Sequence, residues 1–205
     1  MSDSAWIWIS GWAICPSRFK KAVELALPGH SHQVLAPTPD AFETALKKNA
    51  SCIGGYSLGS LIILSELKRI PKDAKVICLA PFLSFCQEEQ LGGTTPRTSL
   101  QMLQQRLTKQ PNKALRLFYR LAGLNNEPVD NLPYALEHLE WGLEKLAYLK
   151  ADTAMLHRAK GFVGLTDALI DPIIIKSKWS DCSLIEKCNH AYPQLLNLFS
   201  QIETV

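Results

Sequence analysis

The first eighty residues alternate between two apolar patterns. Short continuous apolar runs of strand length give way to longer stretches in which apolar positions recur at helical spacing. AWIWIS (5–10) reads as a β-rich strand, followed by a loop and a helix over about 16–27 that stops at Pro28 and Gly29. HQVLAP (32–37) is a second strand, and PDAFETALKKN (39–49) a short helix with Asp40 near its start. SCIGG (51–55) is a third strand, SLGSLIILSELKRI (57–70) the helix after it, and AKVICLAP (74–81) a fourth strand. Strands alternating with helices predict an α/β fold with a parallel sheet and crossover helices.

Beyond residue 86 the pattern changes. From about Gln87 to Ala151 only helical stretches follow, SLQMLQQRLTK, NKALRLFYRLAGL and LPYALEHLEWGLEKLAYL, with no strand between them. They predict an all-helical insertion over 87–151, set into a core built from 1–86 and 152–205. Strand signals return with GFVGL (161–165) and DCSLIEK (181–187), with a short helix around 172–178 between them and a last helix from about Pro193 to Ile202. The sheet is therefore expected to hold about six strands. No internal repeat, low-complexity tract or linker divides the chain.

Composition narrows the class of protein. A chain of 205 residues that is 47% apolar can bury one sizeable core. Its formal charge of +3 announces neither a nucleic acid nor a membrane surface as partner. The six cysteines are spread along the chain with no CxxC pair, and Cys15, Cys52 and Cys78 lie in or beside apolar runs. Reduced thiols in a cytoplasmic protein are the expectation. The opening MSDSAWIWISGWAIC has no basic leader or small-residue cleavage site and is interrupted by Ser10 and Gly11, so it reads as a buried strand. No run approaches the ~18 apolar residues of a membrane span.

The chemistry starts at GYSLG (55–59), a G-x-S-x-G motif between an apolar strand and an apolar helix. A strand that turns straight into a helix holds Ser57 in a strained backbone conformation, and side chains at the flanking positions would collide with neighbouring backbone. The turn lifts the Ser57 hydroxyl above the sheet at a helix N-terminus, where negative charge is favoured. The alternative is a glycine-eased structural turn. A serine nucleophile needs a base and an orienting carboxylate, which follow it in the order Ser, Asp/Glu, His. GFVGLTDALIDP offers Asp167 just past the fifth strand, with Asp171 as its rival, although Asp171-Pro172 resembles a helix start. EKCNHAYP offers His190 just past the sixth strand. His30 and His32 precede the serine, and His138 and His157 belong to the insertion or its exit, so all four read as ordinary polar residues. Two backbone N–H groups are needed for the oxyanion: that of Leu58, next to the nucleophile, and that of Trp12, in the loop after the first strand. The Trp12 indole would remain free to wall an acyl pocket. No metal-ligand spacing occurs, and no cofactor is expected.

These residues resemble the α/β-hydrolase superfamily over nearly the whole chain. Within it the chain is most similar to the pimeloyl-[acyl-carrier protein] methyl ester esterases of biotin synthesis. Gly11-Trp12, Gly-Tyr-Ser-Leu-Gly at 55–59 and LEWGLEKLAYLKAD (139–152) carry that likeness, with Asp167 and His190 at the matching triad positions. The chain departs from the family in having Ser10-Gly11 where His-Gly is usual, in opening directly on the strand before the oxyanion loop, and in a short stretch between Asp167 and His190. The resemblance implies a helical cap over the pocket, a monomer, and an acyl-carrier protein as partner. Arg97, Arg106, Lys109, Lys113, Arg116 and Arg120 fall in a 24-residue window without Asp or Glu. Such a basic patch fits an acidic carrier delivering an acyl chain; a solvated helix face is the other reading. Leu103, Leu107, Leu115, Phe118 and Leu121 recur at helical spacing, facing the core or lining an acyl channel. The expected activity is carboxylic-ester hydrolysis, with thioester hydrolysis and a non-catalytic binding role as alternatives.

Overall fold

Each of the short apolar runs becomes a buried strand. The computed structural model describes residues 5–203. In chain order it contains β1 (Ala5–Ile9), α1 (Pro16–Ala26), β2 (Ser31–Leu35), α2 (Ala41–Lys47), β3 (Cys52–Tyr56), α3 (Leu58–Ser65) and β4 (Lys75–Leu79). Then come β5 (Ser84–Cys86), β6 (Gly92–Thr95), α4 (Arg97–Lys109), α5 (Pro111–Leu121) and α6 (Leu136–Tyr148). The chain closes with β7 (Lys160–Gly164), α7 (Pro172–Lys178), β8 (Ser183–Ile185) and α8 (Tyr192–Glu203). The main sheet has six strands in the order β2-β1-β3-β4-β7-β8, and every pairing is parallel.

Covering both faces of a parallel sheet removes the need for alternation, which is why β3 is buried at all five positions. The helix that follows it, α3, is apolar on every side and buried from Leu58 to Leu64. By contrast α1 is amphipathic: Pro16 opens it with a preset φ, and only Phe19 and Val23 are buried. Trp8, Ile9, Phe19, Ile53, Leu61 and Phe199 are among the fully buried side chains that join sheet and helices into one core. Cys52, Cys78, Cys86, Cys182 and Cys188 are buried as well. Among the described residues no helix is long and apolar enough to cross a membrane.

Two differences from the expected elements bear on the site. The helix expected over 57–70 ends at Ser65 and continues as a separate 3-10 turn, Leu67–Arg69. More important, the segment expected to be wholly helical contains β6, which pairs in parallel with β5, while Gly93 bridges to Ile170. GGTT has no apolar alternation to reveal it. A five-residue link suffices because the strands are only three and four residues long. The boundary expected at residue 87 therefore cuts through a small two-stranded sheet.

Candidate active site

The sheet sends its chain in opposite directions from β1 and β3: β1 leads to β2 on one side, and β3 leads to β4 on the other. A crevice forms at the C-terminal ends of strands at such a switch point. Ser57 follows β3 there, and the loop Ser10–Ile14 follows β1. Asp167 and His190 follow β7 and β8 at the same edge.

Ser57 has φ 55° and ψ −116°, a sparsely populated conformation for a residue with a side chain. Two glycines make the turn possible. A Cβ on Gly59 would stand 2.0 Å from the Ile9 carbonyl oxygen, and one on Gly55 would stand 2.5 Å from Ser60 N. The Ser57 N–H donates to the Leu79 carbonyl at 2.9 Å, and the Ser60 hydroxyl donates to the same oxygen at 2.9 Å, which ties the turn to β4.

A continuous hydrogen-bonded relay ends on this serine. The Ser57 Oγ lies 3.0 Å from His190 Nε2, and His190 Nδ1 lies 2.7 Å from Asp167 Oδ2. Asp167 Oδ1 accepts the Leu169 N–H at 2.8 Å, so both carboxylate oxygens are engaged. All three residues are buried. Asp171 plays a different part: its Oδ1 accepts the N–H groups of Ile173 and Ile174, which makes it the N-cap of α7. The other histidines lie elsewhere. His30 stacks on Trp6, His32 is buried between Trp8 Nε1 and the Leu27 carbonyl, His138 belongs to α6, and His157 lies in the 3-10 turn before β7.

Positioning contacts that sequence reasoning missed hold the relay. The Tyr56 hydroxyl donates to the His190 carbonyl at 2.8 Å, and the Thr166 N–H and hydroxyl both donate to the Cys188 carbonyl. None of these three bonds has a sequence signature, since each joins residues far apart in the chain. Cys188 sits beside the relay without competing as a nucleophile: burial first, and then the nearby Asp167 charge, push its thiol up to about 11.

The Trp12 and Leu58 N–H groups have no hydrogen-bond partner among the described residues. Gly11 brings the loop against the serine, since a Cβ there would lie 3.2 Å from Ser57 Cβ. Ser10 bonds within the loop through its hydroxyl to the Ile14 carbonyl. One expectation is corrected. The Trp12 indole is not free to wall an acyl pocket; it is buried, donating to the Leu139 carbonyl at 2.8 Å and lying edge-to-face with Phe118 at 4.7 Å.

No protein-family model matches the sequence, and no curated protein matches it. Solved structures match nearly its whole length. An N-acyl homoserine lactonase complexed with N-hexanoyl homoserine superposes with a TM-score of 0.73 at 12% identity, over 99% of this chain and 88% of that one. A lipase-esterase related protein from Clostridium acetobutylicum gives 0.64 at 14% identity, over 97% and 90% of the two chains. A thioesterase of the prodiginine pathway in Streptomyces coelicolor gives 0.58 at 14%, over 98% and 84%. The chain has the α/β-hydrolase fold.

On this α/β-hydrolase scaffold, α4 and α5 border a cavity of about 710 Å³. Phe85, Leu103, Phe118, Leu121 and Leu146 give it an apolar wall, while Leu107 and Leu115 are buried in the core. Ser57 is not in the wall, but two lining residues reach the site: Phe118 touches Trp12, and Leu169 bonds Asp167. Among the basic residues singled out from the sequence, Arg106, Lys109 and Lys113 line this cavity and are exposed. Arg116 and Arg120 lie on the exposed face of α5, outside it. Arg97 stands apart from the patch. Its guanidinium donates to Glu89 at 2.7 Å and to the Ala147 carbonyl at 3.2 Å, and lies 5.5 Å from the Tyr148 ring centre, joining the two ends of the helical segment.

Proposed function

We propose that the protein is a serine hydrolase of carboxylic esters. The observation that carries this reading is the Asp167–His190–Ser57 relay, ending on a serine in a strained strand–helix turn beside two N–H groups without a partner among the described residues. With Asp167 accepting the Nδ1 proton, His190 presents an unprotonated Nε2 to the Ser57 hydroxyl. Ser57 Oγ attacks the ester carbonyl carbon and its proton passes to Nε2. The carbonyl oxygen becomes an oxyanion held by the Trp12 and Leu58 N–H groups, the latter at the first turn of α3. Collapse of the tetrahedral intermediate breaks the ester C–O bond, and the alcohol leaves with the proton from His190. A water, deprotonated by His190, then attacks the acyl-serine and releases the acid.

The finer reading is that the substrate is the methyl ester of a pimeloyl group on an acyl-carrier protein, with α4–α6 as a cap that reads it. Its support is the apolar cavity lined in part by Arg106, Lys109 and Lys113, cations without ion-pair partners among the described residues. An acyl chain suits the wall and an acidic carrier suits the cations. Thioester hydrolysis is the second reading, favoured by the thioesterase among the structural neighbours.

Labelling of Ser57 by a fluorophosphonate, lost in Ser57→Ala, tests the mechanism; an unlabelled wild type refutes it. The substrate is tested by turnover of the carrier-linked methyl ester against the corresponding thioester. Charge reversal of Arg106 and Lys113 should raise KM for the carrier-linked ester and flatten its salt dependence. Growth of a biotin auxotroph lacking its methyl esterase, with wild type and not with Ser57→Ala, would place the enzyme in that pathway.

A further inference from the structure

Residues Gly11 to Ile14 form a β-turn closed by the Ile14 N–H on the Gly11 carbonyl at 3.2 Å. Its third residue, Ala13, has φ 61°. Positive φ at that position is the mark of a type II turn, where glycine is the usual occupant and a residue with a Cβ is strained. A strained residue persists only when its surroundings hold it, and both polar groups of Ala13 are held by the helical segment. The Ala13 N–H donates to the Tyr134 hydroxyl at 2.8 Å, and the Ala13 carbonyl accepts the Tyr119 hydroxyl at 2.7 Å. Burial raises both phenols, so both stay protonated. The ring of the preceding Trp12 is fixed by Leu139 and Phe118 from the same helical segment.

The turn matters because of what its first peptide presents. The Gly11 carbonyl and the Trp12 N–H belong to one trans peptide and point in opposite directions. With the carbonyl turned into the loop toward Ile14, the Trp12 N–H faces outward, without a partner among the described residues. Without its two tyrosine bonds, Ala13 would relax to negative φ. The Trp12–Ala13 peptide would then turn over, and the Trp12 amide, one peptide earlier, would be aimed only by the Ile14–Gly11 closure and the buried indole.

We propose that Tyr134 and Tyr119 are positioning residues that clamp the oxyanion-stabilising turn through Ala13, so that the helical insertion sets the transition-state stabilisation of the sheet-borne relay. This rests on the ester-hydrolase reading given above. Deleting an oxyanion donor outright typically costs ~10²–10³ in kcat. Losing a clamp that aims one donor should cost less, about tenfold to a hundredfold in kcat for Tyr134→Phe combined with Tyr119→Phe, with KM little changed.

The test measures fluorophosphonate labelling and ester turnover of the wild type first, then kcat, KM and affinity for an alkyl boronic acid in the tyrosine variants. Expected are a fall in kcat and a parallel loss of boronic acid affinity, with unchanged affinity for the product acid. Adding Ala13→Gly, which makes positive φ unstrained, should recover much of both. A wild type that neither labels nor turns over removes the functional reading and the clamp with it. An active wild type whose tyrosine variants lose only melting temperature, with kcat and boronic acid affinity intact, overturns the clamp alone.

Discussion

Replacing Asp167 by asparagine tests the relay at its least visible member. The wild-type carboxylate accepts the Leu169 N–H on Oδ1 and faces His190 Nδ1 with Oδ2. Asparagine offers one acceptor oxygen and one donor nitrogen. If the Leu169 N–H keeps the oxygen, the amide nitrogen faces His190 and donates to Nδ1. The ring proton then sits on Nε2, which can no longer accept the proton of the Ser57 hydroxyl. Turning the amide over restores the tautomer but leaves the buried Leu169 N–H facing another donor, at a cost of about 1–3 kcal/mol. Either way the imidazolium formed during reaction loses its counter-charge. A comparable relay locked in the wrong tautomer loses ~10⁴ in kcat, equivalent to about 5.5 kcal/mol. The assay is steady-state hydrolysis of a soluble methyl ester, with Asp171→Asn as control. Asn caps a helix as well as Asp does, so α7 and kcat should both survive in that control. Retention of kcat within about tenfold in Asp167→Asn, or its loss in Asp171→Asn, would refute the assignment.

Stability should fall as pH drops below ~6.5, the ordinary histidine value, because burial, aided by the His30 charge and opposed by the bond to Leu27, holds His32 below it. The unfolded chain then takes up the proton first, while the folded ring must accept the Trp8 N–H on Nδ1; urea midpoints at pH 7.5 and 5.5 should differ less in His32→Gln, and an unchanged difference contradicts this. Gly59→Ala drives a methyl into the Ile9 carbonyl and should destabilise by at least about 1–3 kcal/mol, measured by denaturation; a variant as stable as wild type contradicts the packing of the elbow. Arg97→Met should increase cleavage near residues 87–96 in limited proteolysis, because the bonds joining Glu89, Ala147 and Tyr148 are lost; an unchanged cleavage pattern argues that Arg97 clasps nothing.

The relay was legible because its constraints are local. The strain at Ser57 demands glycine at 55 and 59, and those glycines sit between an apolar run and an apolar helix. Asp167 and His190 each follow a strand signal, and Asp171-Pro172 announced the helix start that Asp171 caps. What stayed hidden is set by packing between distant segments. The Tyr56 bond to His190, and the use of Arg97 as a clasp rather than as part of the basic patch, depend on side chains meeting across the fold. For β6 the pattern was silent, because two glycines and two threonines carry no period.

The same distinction separates the two halves of the proposed chemistry. Ser57 is bonded to Leu79, Thr166 to Cys188 and Tyr56 to His190, so the relay is anchored on loops and strands of the sheet edge. The Ala13 turn is bonded instead to Tyr119 and Tyr134, and the indole before it to Leu139, all within the segment that joins β6 to β7. On the proposed mechanism, substitutions in α5 and α6 would therefore change how well an oxyanion is held without moving the nucleophile from its base. The same helical segment also supplies most of the wall of the 710 Å³ cavity. An acyl chain that displaced Phe118 would press on the Trp12 ring, so substrate fit and oxyanion stabilisation would be read by one set of contacts.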